Sequence, residues 1–262
     1  MKIHLYATDQ SALELTKALN DDDEITALIV PANRMNSQKI RQLKTKSPYP
    51  VFVHHTKVPL DNDLPPASVA VSWLYSQVFG TDILRRYSQG MLNMHGGKIP
   101  QYRGASVLQW AIIHGEKELG ITWHEIVEEV DAGAIWAECT IAIGEKMTSM
   151  DVRECMLLSG TALFDEAWRR FSRDGQPVRI PNLKGGRIWP QRKPSDGEIG
   201  PGLSEKQLRD LVRALCPPWP APTIKHGSRV LEVNTIDSVA SPVSVAYETA
   251  EGKTVFLSGT FQ

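Results

Sequence analysis

The amino-acid sequence predicts an α/β fold: a Rossmann-like, mostly parallel sheet with helices on both faces, followed by a small C-terminal antiparallel β unit. Two patterns carry this expectation. Short apolar runs alternate with amphipathic stretches through the first two thirds of the chain, and parallel strands need such crossover connections. Near the C-terminus the pattern changes to period-two runs broken by Gly and Pro. The 262 residues, 42% hydrophobic and 23% charged, suffice for one large core and a small appendage. The expected division is a large domain over 1–195 and a small helix-plus-β domain over 196–262.

The elements follow in order. Ile3 to Ala7 reads as a buried strand, Gln10 to Leu19 as a helix with Leu13, Leu15, Ala18 and Leu19 on one face, and Ile25 to Val30 as the next strand. Met35 to Leu43 suggests a second helix, Pro50 to Val53 and Ser68 to Trp73 two more strands, Asp82 to Tyr87 a helical stretch, and Gly90 to Met94 a further strand. A helix near Ala105 to His114 precedes a strand at Gly120 to His124, and Asp131-Ala132-Gly133 reads as a turn before another strand. Thr148 to Phe171 carries a long amphipathic pattern with Thr148 or Ser149 as its cap. Gly175 to Gly202 has linker composition, Ser204 to Leu215 reads as a short helix, and Arg229–Val233 and Thr254–Leu257 as strands, with Glu251-Gly252 a hairpin turn.

Composition excludes several functions. Lys plus Arg total 29 against 30 Asp plus Glu, a net charge of -1 without a polybasic block, so nucleic-acid binding through bulk charge is disfavoured. No run reaches the roughly 18 apolar residues of a membrane span, and the N-terminus lacks the apolar stretch of a secretory signal. Cys139, Cys155 and Cys216 match neither a disulfide framework nor a zinc site, so no metal and a reducing cytoplasm are expected. No G-x-G-x-x-G follows the first strand, where Thr8-Asp9-Gln10 stand, which argues against a dinucleotide enzyme.

Polar groups gather where an open sheet binds ligands, beyond the carboxyl ends of its strands. Asn93 and His95 lie there, followed by the loop Gly96-Gly97-Lys98-Ile99-Pro100-Gln101-Tyr102-Arg103-Gly104. Asp131 follows a second strand. An amide, an imidazole and a carboxylate converging on one crevice suit acyl transfer to an amine: the amide donates to the oxyanion, the imidazole moves protons, and the carboxylate orients it or accepts charge. Each residue also has a plainer reading. A lone His after a strand usually makes one structural hydrogen bond, Asp before Ala-Gly is a common turn residue, and Trp73 and Tyr75 fit a core. Tyr102 could pack inward beside a solvated Arg103, and His124 either lines the site or caps a strand. His54, His55 and His114 read as surface groups.

Three ordered motifs, Asn93 to Gly104, Gly120-Ile121-Thr122-Trp123-His124 and Asp131-Ala132-Gly133-Ala134-Ile135, resemble the folate-dependent formyltransferases over roughly residues 1 to 195. That family includes glycinamide ribonucleotide, methionyl-tRNA and nucleotide-sugar formyltransferases. The resemblance implies a catalytic triad of Asn93, His95 and Asp131. It also implies 10-formyltetrahydrofolate as donor, its pterin against backbone at Trp73, Leu74 and Tyr75 and at Val130, Ala132, Gly133 and Ala134. Gly96-Gly97-Lys98-Ile99 departs from the Ser-Leu-Leu-Pro type loop of many members.

The segments Trp189 to Gly197 and Arg213 to Pro220 look like the nucleotide-sugar branch, including the aminoarabinose formyltransferase. A diphosphate-bearing acceptor is therefore expected, met by Lys98, Tyr102, Arg103, Arg192 and Lys193. The alternatives are methionyl-tRNA, glycinamide ribonucleotide or hydroxyornithine as acceptor, or hydrolysis of formyltetrahydrofolate. Partners are expected to be small molecules, with no nucleic acid and no membrane. The small β unit suggests a homodimer.

Overall fold

The computed structural model describes residues 1–8, 10–34, 37–55 and 63–262. Strands β1 (Lys2–Ala7), β2 (Glu24–Pro31), β3 (Val51–His54), β4 (Val69–Trp73) and β5 (Met91–His95) alternate with helices α1 (Ser37–Lys46) and α2 (Thr81–Leu84). Short β6 (Arg103–Gly104) and helix α3 (Val107–Ile113) lead to β7 (Glu118–Glu125), β8 (Ile135–Ala142) and the long α4 (Ser149–Arg169). Then come β9 (Ile188–Trp189), α5 (Glu205–Ala214), β10 (Thr223–His226), β11 (Arg229–Asp237), β12 (Ser244–Glu248) and β13 (Thr254–Phe261).

The main sheet has seven strands in the order β3-β2-β1-β4-β5-β7-β8. Its first five pair in parallel, in the doubly wound order, and β7 then pairs antiparallel with β5. Burial explains the residue choice: β2 and β4 are inaccessible along nearly their whole length, so both are mostly apolar, with Thr26 and Ser72 the polar residues inside them and little alternation. A separate antiparallel sheet, β10-β11-β13-β12, forms the C-terminal part, and Gly252 (φ 72°) turns β12 into β13.

The stretch Gln10–Ala18, expected as an α-helix, winds as a 3-10 helix. Met35, expected to open a helix, lies outside the described residues, and α1 runs from Ser37. Thr148 caps α4 through a reciprocal pair, its N–H donating to Asp151 Oδ2 at 2.8 Å and its hydroxyl accepting from Asp151 N–H at 3.3 Å. Ser204 and Gln207 build the same motif on α5.

The chain forms two compact units. One contains 1–103, 120–139 and 158–187, and the other 104–119, 140–157 and 188–262. In the first, Trp73 and Trp123 stack with ring centroids 5.9 Å apart, Phe164 adjoins Trp123, and all three are buried. In the second, α3 packs on α5, and Leu208, Leu231, Val233, Val255 and Leu257 are buried. Among the described residues no helix is long and apolar enough to cross a membrane.

Candidate active site

Strand register brings the polar cluster together. Asn93 and His95 alternate on one face of β5, and the antiparallel pairing sets His124 opposite Asn93, with Trp123 and Met94 on the other face. Gly160 of α4 leaves room there: its absent Cβ would sit 3.4 Å from Met94 and Trp73, and Trp123 donates its indole N–H to the Gly160 carbonyl at 2.9 Å. The sheet face thus presents an amide and two imidazoles, while α4 holds the back of both strands.

Asp131 completes the group from the loop between β7 and β8. Its Oδ2 lies 3.5 Å from His95 Nδ1 and its Oδ1 3.3 Å from His124 Nε2. The other nitrogen of each ring is committed to a backbone carbonyl. His95 Nε2 meets the Tyr102 carbonyl at 2.5 Å and His124 Nδ1 the Glu125 carbonyl at 2.8 Å. A carbonyl only accepts, so both of these nitrogens carry hydrogen. The lone pairs that remain, on His95 Nδ1 and His124 Nε2, face the Asp131 carboxylate.

His124 Nε2 accepts one hydrogen from Asn93 Nδ2 at 3.1 Å. With His95 neutral and its hydrogen on Nε2, no proton lies between His95 Nδ1 and the Asp131 carboxylate when that is ionised. One proton delivered to either atom turns an unfavourable contact into a charge-assisted hydrogen bond. The cluster is therefore a seat for a single proton. Burial holds the His95 imidazole below the ordinary value of 6.5, opposed by Asp131 and reinforced by His124 and Arg103, so the ring stands neutral and ready to accept. Asn93 and Asp131 are partly exposed while His95 and His124 lie behind them, so the amide and the carboxylate face an incoming molecule.

Glycines set the distances. A Cβ on Gly97 would stand 2.2 Å from the Tyr102 carbonyl and 2.5 Å from His95 Nε2, so only glycine lets the loop close on the imidazole. At Gly97 the departure noted in the sequence thus has a steric reason. Gly133 is equally constrained, its Cβ position lying 2.1 Å from the Glu125 carbonyl, and Asp131 itself is left-handed at φ 46°.

The remaining sequence candidates divide. Trp73 is wholly buried and donates to Ser11 Oγ at 2.8 Å, so its ring belongs to the core. Leu74 is left-handed (φ 53°) with its carbonyl held by Thr8, and Tyr75 stacks on Phe79 while meeting His54 Nδ1 at 2.7 Å. His54, read as a surface group, is in fact buried at 6% exposure because β3 delivers it to Tyr75. His114 is exposed, as expected, though its ring lies 4.6 Å from that of Trp189. Val130, Ala132 and Ala134 line the Asp131 loop and stay partly accessible.

Lys98 is exposed on the loop after His95, and Tyr102 serves the site through its carbonyl. Arg103, expected to meet a diphosphate, is 4% exposed and turned into the fold, where Val130 O and Glu129 hold its guanidinium. Arg192 and Lys193 belong to the second unit. There the Arg192 N–H donates to Ser106 Oγ at 3.1 Å, Arg192 Nη1 is buried without a hydrogen-bond partner, and Lys193 is exposed. Sequence reading left His124 undecided, because its place depends on the β5–β7 register, which no local pattern reveals. No group of three or more His, Cys, Asp or Glu among the described residues could hold a metal ion.

The sequence profile of the formyl transferase family matches residues 36–166, half of the chain. The chain belongs to the formyl transferase family. Among curated relatives, the bifunctional polymyxin resistance protein ArnA of Wigglesworthia glossinidia brevipalpis is 30% identical over 188 residues. That match takes in 71% of this chain and 29% of ArnA, so the chain spans under a third of that relative's length. Among solved structures, the Helicobacter canadensis N-formyltransferase, in complex with folinic acid and dTDP-3-aminofucose, superposes with a TM-score of 0.72 at 14% identity, covering 99% of this chain and 100% of that one. A 4-N formyltransferase from Francisella tularensis superposes with a TM-score of 0.71 at 17% identity, covering 100% of this chain and 98% of that one. These two likenesses concern the fold.

The buried histidines give a stability prediction. Burial lowers His4, His54 and His95 below 6.5, and His4 is satisfied as a neutral ring, accepting from Tyr87 Oη at 2.8 Å and donating to the Pro65 carbonyl at 2.9 Å. The unfolded chain then binds more protons than the folded one as pH drops through 6.5, so folding stability falls with it. Glu125, raised by burial above 4.5, acts in the opposite sense as a single group. Denaturant midpoints at pH 7.5 and 5.5 are expected to be lower at 5.5, and equal midpoints would contradict this accounting.

Proposed function

We propose that this formyl transferase moves the formyl group of 10-formyltetrahydrofolate onto the amine of a nucleotide-linked amino deoxysugar, dTDP- or UDP-linked. The carrying observation is the single proton seat formed by His95 and Asp131, with the Asn93 amide beside it. Transfer to an amine asks for just this: the amine nitrogen bonds to the formyl carbon, gives up one proton, and the folate nitrogen needs one proton to leave. His95 Nδ1 or Asp131 takes the first and returns it to the second, so the protein ends unchanged.

Asn93 has the complementary role. Its amide nitrogen carries two hydrogens, one given to His124, and the second is placed to steady the oxyanion of the tetrahedral intermediate. The folate donor is supported by the family match and by folinic acid in the Helicobacter canadensis complex. The acceptor class is supported by the dTDP-aminosugar in that same complex and by the ArnA relationship. We place the reaction in the cytoplasm. The test is formyl transfer to a panel of dTDP- and UDP-linked amino sugars, with glycinamide ribonucleotide, methionyl-tRNA and hydroxyornithine alongside. A formyl group gained by a nucleotide sugar is the expected outcome, and free formate with every acceptor unmodified would make the protein a hydrolase.

A further inference from the structure

We infer that Arg103 is a positioning residue for Asp131 and not a substrate contact. Its guanidinium grips the carbonyl of the residue immediately before Asp131: Nε and Nη2 donate to Val130 O at 2.8 and 2.6 Å. Nη2 also meets Glu129 Oε1 at 2.6 Å, and since Glu129 is 59% exposed that ion pair adds little beside the two bonds to the carbonyl. Arg103 itself is 4% exposed, and its own N–H is anchored on the Arg187 carbonyl at 3.2 Å. A buried, forked donor on one carbonyl fixes both the height and the rotation of the peptide that it holds.

The held peptide needs fixing. Asp131 adopts φ 46°, a conformation that side chains other than glycine enter at some cost, and the carboxylate has to stand between two imidazoles. The neighbouring residue completes the brace. Tyr102 supplies the carbonyl that fixes His95 Nε2, so residues 102 and 103 hold the imidazole from one side and the carboxylate loop from the other. The 3.5 Å separation of His95 and Asp131 is thereby set through two consecutive residues. Arg103 also adds positive charge near His95, whose other charged or titratable neighbours are Asp131 and His124.

This inference rests on the proposed transfer for its kinetic arm, and its structural arm stands apart. In Arg103→Gln, kcat is expected to fall by about 10²-fold with the nucleotide-sugar KM nearly unchanged, as a displaced reacting group predicts. The acid limb of the kcat profile moves to higher pH in Arg103→Gln and stays in place in Arg103→Lys, which keeps the charge while losing the fork. Hydrogen–deuterium exchange of the ligand-free protein should quicken over residues 128–134 in both variants. A raised KM with kcat and exchange unchanged, restored by lysine, would overturn the inference in favour of a phosphate contact. If wild-type protein formylates no acceptor, the functional reading fails and exchange alone decides: protection unchanged over 128–134 sinks the positioning role. Should Arg103→Gln not fold, Arg103→Lys carries both measurements.

Discussion

Exchanging Asp131 for Asn is expected to cut formyl transfer by about 10²–10⁴-fold, the range for losing a proton-transfer partner, while leaving the fold intact. The substitution is unusually clean at this position. Asn is isosteric with Asp and tolerates the left-handed backbone (φ 46°) at least as well. The carboxylate faces two imidazole nitrogens that carry lone pairs, 3.5 and 3.3 Å away, and an amide NH2 group would donate to one of them. Thermal stability is therefore expected to stay level or rise. What disappears is the seat for the proton leaving the amine. Asp131→Ala separates the two effects, because alanine at a positive φ adds about 1–2 kcal/mol of backbone strain to the same chemical loss. Turnover and melting temperature measured on the same preparations decide the matter, and Asp131→Asn retaining nearly full activity would remove the carboxylate from the mechanism.

Trp123→Ala is expected to lower the unfolding free energy by about 3–5 kcal/mol, read from denaturant midpoints. Trp123 is inaccessible, its ring centroid lies 5.9 Å from Trp73 and 4.9 Å from Phe164, and its N–H reaches the Gly160 carbonyl of α4. Removing it empties the space between the sheet and α4 directly behind Thr122 and His124. Such a loss is a large share of the roughly 5–15 kcal/mol that keeps a typical domain folded. Trp123→Phe, which keeps most of the ring volume, should lose clearly less. A change below about 1 kcal/mol for the alanine variant would mean that the cavity collapses freely, contrary to a core packed at this density.

The strands of the main sheet were readable because buried parallel strands are nearly continuous apolar runs, as Ile25 to Val30 (broken only by Thr26) and Val69 to Trp73 (broken only by Ser72) are. The start of α4 was readable from Thr148, whose cap forms as its residue type predicts. Gln10–Ala18 was misjudged in type because helical spacing does not separate a 3-10 helix from an α-helix over nine residues. Motif order singled out Asn93, His95 and Asp131, and the fold brings these three together around His124. Which atoms face which was not legible, since that depends on the antiparallel β5–β7 register and on close backbone approaches at Gly97 and Gly133. Arg103 shows the limit most plainly. A cation in a polar loop reads as solvated or ligand-bound, and only the fold reveals that it grips the Val130 carbonyl.

The most direct test of the account is side-by-side incubation of wild-type and Asp131→Asn protein with 10-formyltetrahydrofolate and a dTDP-linked amino sugar, following acceptor mass with time. The proton seat predicts one formyl group added by the wild type and a rate lower by about 10²–10⁴-fold in the variant at undiminished stability. Equal rates in the two proteins, or an acceptor that never gains mass while formate accumulates, would contradict it.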